Sequence, residues 1–110
     1  MARTSFRVAW TETAVRDLEE LVAYIASDSS TKASRTLAKL ESRAQTLTSS
    51  PARGRVVPEL AHFGIRSWRE LIVRPYRIIY RIDGRTVYVL AVVDGRRELH
   101  DLLLERLIRE

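Results

Sequence analysis

Apolar positions near the start of the chain recur at every second place. Phe6, Val8 and Trp10 alternate with Arg7 and Ala9, the period of a half-buried strand. From Ala14 the spacing changes: Ala14, Val15, Leu18, Leu21, Val22 and Ile25 recur at helical intervals, which assigns Arg16, Asp17, Glu19 and Glu20 to the outward side. Thr11 stands where an N-cap belongs, followed by Glu12 and Thr13. "SDSS" (27–30) breaks the pattern and supplies the next cap. Ala33, Leu37, Leu40, Ala44 and Leu47 then step by four, three, four and three, a narrow seam suited to antiparallel packing on the first helix. "TSSPARGRVVPE" (48–59), rich in Ser, Pro and Gly, reads as an exit loop.

Beyond that loop the period returns to two. Candidate strands are Ser67–Arg74, Tyr76–Asp83 and Thr86–Asp94. Asp83-Gly84 signals a tight hairpin between the last two. "VYVLAVV" (87–93) is apolar on both faces and is expected as the central strand. In Glu98–Glu110, Leu99, Leu102, Leu103 and Leu107 share one helical face. The expected order is β-α-α-β-β-β-α: an N-terminal strand, an antiparallel helical hairpin packed on a small antiparallel sheet, and a C-terminal helix. This is an α+β fold, and residues 1–110 form one domain.

Composition narrows the chemistry. The chain has no cysteine, which excludes disulfides and thiolate metal sites. His62 and His100, far apart and without a paired-carboxylate motif, make no ligand set, so neither metal nor cofactor is expected. With no signal-like opening and no apolar run of membrane length, the sequence reads as cytoplasmic. The net charge of +5 is unevenly spread: residues 1–30 hold three Arg against five acids, and the remainder is strongly basic. An anionic partner for the later segments is implied. All but two of the nineteen cations are Arg. Arg grips carboxylate or phosphate bidentately, although a GC-rich genome would give the same ratio.

"RPYRIIYRID" (74–83) concentrates the question. Arg77 and Arg81 are two apart and project from one strand face, while Tyr76 and Tyr80 take the other as core aromatics. Arg69 joins the arginine face only if the strand register allows. On this reading the arginines await an acidic partner and carry little weight in folding, because solvated pairs contribute only about 0–1 kcal/mol.

Five stretches in order resemble the RelE/ParE superfamily of type II toxin–antitoxin toxins. They are "WTETAVRDLEELVAYI" (10–25), "GRVVPE" (54–59), "REL" (69–71), "YRIIY" (76–80) and "LAVVDGRREL" (90–99). "GRVVPE" resembles the ParE-like branch in particular. The resemblance implies a cognate antitoxin that wraps the toxin and, for the ParE-like branch, DNA gyrase as target. Arg69, Arg77, Arg81, Arg96 and Arg97 are the expected partner-binding residues, and no catalytic residue is expected. The RelE-like alternative is a ribosome-dependent mRNA endonuclease using Arg69, Arg77, Arg97 and His100. Against it, the position of that branch's C-terminal tyrosine is Leu103 here. A third expectation is an inactive antitoxin-binding module.

Overall fold

The structure, a computed structural model, describes residues 5–95 and residue 106. Strand β1 (Arg7–Trp10) leads into helix α1 (Glu12–Ala26), and helix α2 (Ser30–Gln45) follows. Both helix starts are capped as the sequence implied: the Thr11 hydroxyl accepts from the Ala14 amide, and the Ser29 hydroxyl from the Lys32 amide. The chain then passes two short 3-10 turns (Thr46–Thr48 and Pro51–Arg53), strand β2 (Arg55–Val56) and a one-turn helix α3 (Pro58–Ala61). Strands β3 (Trp68–Val73), β4 (Tyr76–Asp83) and β5 (Thr86–Asp94) complete the sheet. Asp83 pairs with Thr86, so the hairpin loop is Gly84-Arg85, with Gly84 at a φ of 61°. Glycine reaches that conformation without a steric cost, as the tight hairpin requires.

The sheet order is β1-β5-β4-β3-β2. Three expectations are corrected here. The sheet is mixed rather than antiparallel, because β1 pairs parallel with β5. The supposed exit loop also supplies a strand, β2, paired antiparallel with β3. β5 is interior but not central, since β4 holds the middle position. A period-two pattern marks a strand without encoding its neighbours.

α1 and α2 cover one sheet face. Ala14, Leu18, Leu40, Ala44 and Leu47 meet Leu71, Val73, Ile78, Tyr80, Val87 and Val89 there. The other face is covered by the segment around α3: Val57 and Leu60 pack with Trp68, Ile79, Leu90, Ala91 and Val93. β5 serves both clusters through a bulge. Tyr80 pairs with Val89 and Ile79 with Ala91, leaving Leu90 without a partner in β4. Leu90 and Ala91 consequently share a face, and Val92 returns to the helix side.

β1 stops pairing with β5 at Val89, and α1 turns across the sheet beyond it. The Val92 amide instead donates to Asp17 Oδ2 at 3.0 Å. The same carboxylate takes a bidentate grip from Arg106, at 3.1 and 2.7 Å. Asp17 therefore faces inward, with a side chain only 12% exposed, against the outward assignment. Charge alone suggested solvent, whereas the missing strand neighbour demands an acceptor. Asp17→Ala should cost about 1.5–3 kcal/mol or more, the range for hydrogen bonds to a charged group. Asp17→Asn keeps an acceptor for Val92 and should cost less. Urea unfolding of the two variants measures the difference.

Among the described residues, no helix is long and apolar enough to cross a membrane. The expected C-terminal helix lies outside them, apart from Arg106, which is helical.

Candidate functional site

Register decides where the arginines go. Tyr80 stands opposite Arg69 on β3, and Arg77 stands opposite Ile72. Side chains alternate across each strand, so Arg69 shares the helix-side face with Tyr80 and Leu71. Arg77 and Arg81 point to the opposite face with Ile79. The two arginines two apart do share a face, as expected, but Arg69 does not join them.

Arg77 is far from a solvated cation. Its side chain is only 12% exposed, and it donates to Glu59 Oε2 on α3 at 2.8 Å. Its Nε also lies 3.2 Å from Glu70 Oε1, a diagonal neighbour across β3 and β4. Glu70 is fully buried, and its other oxygen accepts from Arg55 Nε at 2.6 Å. A chain of charges thus runs Glu59, Arg77, Glu70, Arg55 across the α3-covered face. Glu70 Oε1 lies within ion-pair range yet off the hydrogen-bond line, and it and Glu59 Oε1 are buried without a donor. The picture of Arg77 as a solvated cation awaiting a partner is therefore corrected. Its guanidinium is already engaged by two internal carboxylates, one of them from a segment read as loop.

Arg81 is different. It lies over the Tyr88 ring, 5.3 Å from the centroid, an arrangement that favours a guanidinium. Its charge also sits 3.5 Å from Asp83, and its side chain is more than one-third exposed. This is a partly exposed cation lying over a ring.

Arg69 is committed to the opposite face. Its NH1 donates to the Gly54 carbonyl at 2.8 Å and reaches the Ala52 carbonyl at 3.5 Å. Beside it, the Tyr80 hydroxyl donates to the Pro51 carbonyl at 2.7 Å and accepts from the Gly54 amide at 2.9 Å. Burial pushes the Tyr80 phenol above its ordinary 10.0, while the Gly54 amide and the charges of Arg69 and Arg53 pull it back. Tyr80 is fully buried and Tyr76 half-buried against the same cluster. Both tyrosines therefore belong to the core, as expected, and Tyr80 also fixes the 51–54 segment.

Arg96, Arg97 and His100 lie outside the described residues, as does Leu103. His62 is exposed and packs edge-on against Phe63. Among the described residues, no group of three or more His, Cys, Asp or Glu is gathered that could hold a metal ion. Sequence reasoning missed the pairings of Arg55 and Glu59. The available signal was their place within "GRVVPE", on either side of a Val-Val-Pro too short to separate them widely.

Residues 8–99 match the family described as ParE toxin of type II toxin–antitoxin system, parDE. The chain belongs to that family. Among curated relatives, Y4kP of Sinorhizobium fredii is 35% identical over 99 residues, spanning 88% of this chain and 96% of the relative. Toxin ParE3 of Caulobacter vibrioides is 31% identical over 94 residues, spanning 84% and 90%. Among solved structures, the RelBE2 toxin–antitoxin complex of Mycobacterium tuberculosis contains a chain with a TM-score of 0.61 and 28% identity, covering 84% of this chain and 94% of that one. The chromosomal ParDE system of P. aeruginosa gives a TM-score of 0.66 at 20% identity, covering 81% and 95%. At that identity the second likeness speaks for the fold alone.

Proposed function

We propose that this ParE-family toxin acts by binding: it inhibits DNA gyrase and is neutralised by a cognate antitoxin. The observation that carries this reading is the separation of Arg69 and Arg77. An RNA-cleaving centre needs cations gathered around one phosphate, together with groups that move protons. Here Arg69 serves loop carbonyls on one side of the sheet, and Arg77 is enclosed by Glu59 and Glu70 on the other. Neither is free to meet a phosphorane, and arginine itself stays protonated throughout the working pH range. Gyrase as the target rests on likeness to the ParE branch. The antitoxin rests on that likeness and on the complexes in which similar folds were solved.

Expression of the chain alone should arrest bacterial growth, and co-expression of the adjacent reading frame should relieve the arrest. Purified protein should inhibit gyrase supercoiling, while primer extension finds no codon-linked cuts in translated mRNA. Such cuts, abolished by His100→Ala and retained in His62→Ala, would replace this reading with the endonuclease. Normal growth despite verified expression of folded protein would leave only an inactive binding module.

A further inference from the structure

Arg69 and Arg77 are committed to partners inside the molecule. Unpaired cations, found at several places on the surface, are joined by clefts near the β3–β4 turn. Arg74, Lys32 and Lys39 are exposed, and among the described residues none has a side-chain hydrogen bond or ion pair. They are gathered around two clefts that share Arg74, Pro75 and Tyr76 as a common wall. One cleft, of about 530 Å³, sets Arg55, Arg74 and Arg77 around Ile72, Pro75 and Tyr76. The other, of about 240 Å³, sets Lys32, Lys39 and Arg74 around Leu40 and Val73, between the turn and α2. Among the described residues, no carboxylate lines either one.

We propose that this turn, with its two flanking clefts, is the docking saddle for an acidic, apolar-studded peptide segment of the antitoxin. The inference rests on the toxin–antitoxin reading above and adds where the acidic segment sits. Charge complementarity selects an anion: the rims are cationic, and Arg74 with the two lysines has no internal competitor. The apolar floors select a peptide over a nucleic acid. Ile72, Pro75 and Tyr76, each partly exposed, offer apolar area to aliphatic side chains, with Leu40 and Val73 buried beneath, whereas a nucleic-acid groove would present stacking platforms for successive bases. Among the described residues, Tyr76 is the one aromatic lining either cleft. A carboxylate of the segment meets Arg74 in the charge-assisted geometry that guanidinium favours. Its apolar side chains fill the floors on either side.

The test uses the full chain and the protein encoded by the adjacent reading frame, titrated calorimetrically at low and high salt. Arg74→Glu and the double variant Lys32→Glu with Lys39→Glu should each weaken binding about tenfold or more at low salt, and less at high salt. Arg66→Glu, exposed and lining neither cleft, should bind as wild type does. All these positions are exposed, so thermal unfolding should remain unchanged and confirm that the variants fold. A tight wild-type complex unaffected by the reversals would overturn the saddle and leave the toxin–antitoxin reading standing. Failure of the wild-type chain to bind would overturn both. Reversals that abolish binding to a single-stranded RNA or duplex DNA probe, while sparing the antitoxin, would assign the saddle to nucleic acid and overturn the peptide.

Discussion

Arg77→Ala is expected to lower the unfolding free energy by roughly 3–5 kcal/mol, the range for removing one partner of a buried ion pair. The loss is large because of what stays behind. Glu70 has no solvent access, and without Arg77 it keeps only Arg55, bonded to the other oxygen and itself more than half exposed. Glu59 loses the donor to its Oε2 while its Oε1 already lacks one. Two carboxylates would then sit close together on one sheet face with too little positive charge between them. Adding Glu70→Gln to Arg77→Ala should recover part of the loss, since burying an unpaired amide costs less than burying an unpaired carboxylate. Arg81→Ala is the internal control. That side chain is partly exposed, and its pair with Asp83 is a surface one, so its loss should stay near 0–1 kcal/mol, about the value of such pairs. Denaturant midpoints of the four proteins, at unchanged slope, decide the matter. An Arg77→Ala variant as stable as wild type would show that the charge chain contributes nothing net.

Tyr80→Ala should cost a similar amount, roughly 3–5 kcal/mol for a buried aromatic truncated to a methyl group. The ring is fully buried between the sheet and the helical hairpin, and its hydroxyl closes two hydrogen bonds to the 51–54 segment. Tyr80→Phe separates the two contributions. It keeps the ring but leaves the Gly54 amide and Pro51 carbonyl unmatched, which should cost about 1–3 kcal/mol. The same hydroxyl gives a pH signature. Its proton is held more tightly in the folded chain, so the unfolded chain ionises first as pH rises past 10.0. That part of the stability is therefore intact below this pH and is lost as pH climbs through the folded value. Tyr80→Phe should lack it. Gly54→Ala attacks the contact from the other side: a Cβ there would meet the Glu70 carbonyl oxygen at 2.4 Å and the Tyr80 hydroxyl at 2.6 Å. Forcing a methyl group against backbone should cost about 1–3 kcal/mol.

These contacts give a physical reason for several short motifs to occur together. Within "GRVVPE", Gly54 seats against Tyr80 and Glu70, Arg55 holds Glu70, and Glu59 holds Arg77. "REL" contributes Arg69 and Glu70 to opposite faces, and "YRIIY" contributes Arg77 and Tyr80 likewise. Three stretches that are weak signals separately form one structural unit. The residues of that unit are engaged with one another, which moves the search for a partner surface to the β3–β4 turn.

Local pattern was sufficient for the longer elements themselves. The helical spacing of Ala14 to Ile25, the caps at Thr11 and Ser29, the alternation of 76–83 and the apolar run of 87–93 each depend on residues a few positions apart. Short-range backbone geometry and burial on one face decide such features. Pairing across the chain was not legible in the same way. β2 is two residues long and has no period to detect, so it exists only because β3 offers it an edge. The bulge at Leu90 is hidden because "VYVLAVV" is apolar at every position, and a phase shift in a uniform run leaves no mark. The outward assignment of Asp17 failed, and the burial of Glu70 went unseen, for a related reason: the sequence shows a charge but not whether a donor will be waiting. An amide beyond the end of β1 gives Asp17 its place, and Arg55 and Arg77 give Glu70 its own. Sequence determined the two long helices, the four longer strands and the family to which they belong. Only tertiary structure decided which charges are spent internally and which remain exposed, because that depends on register between strands, and a one-residue shift exchanges the two faces of the sheet.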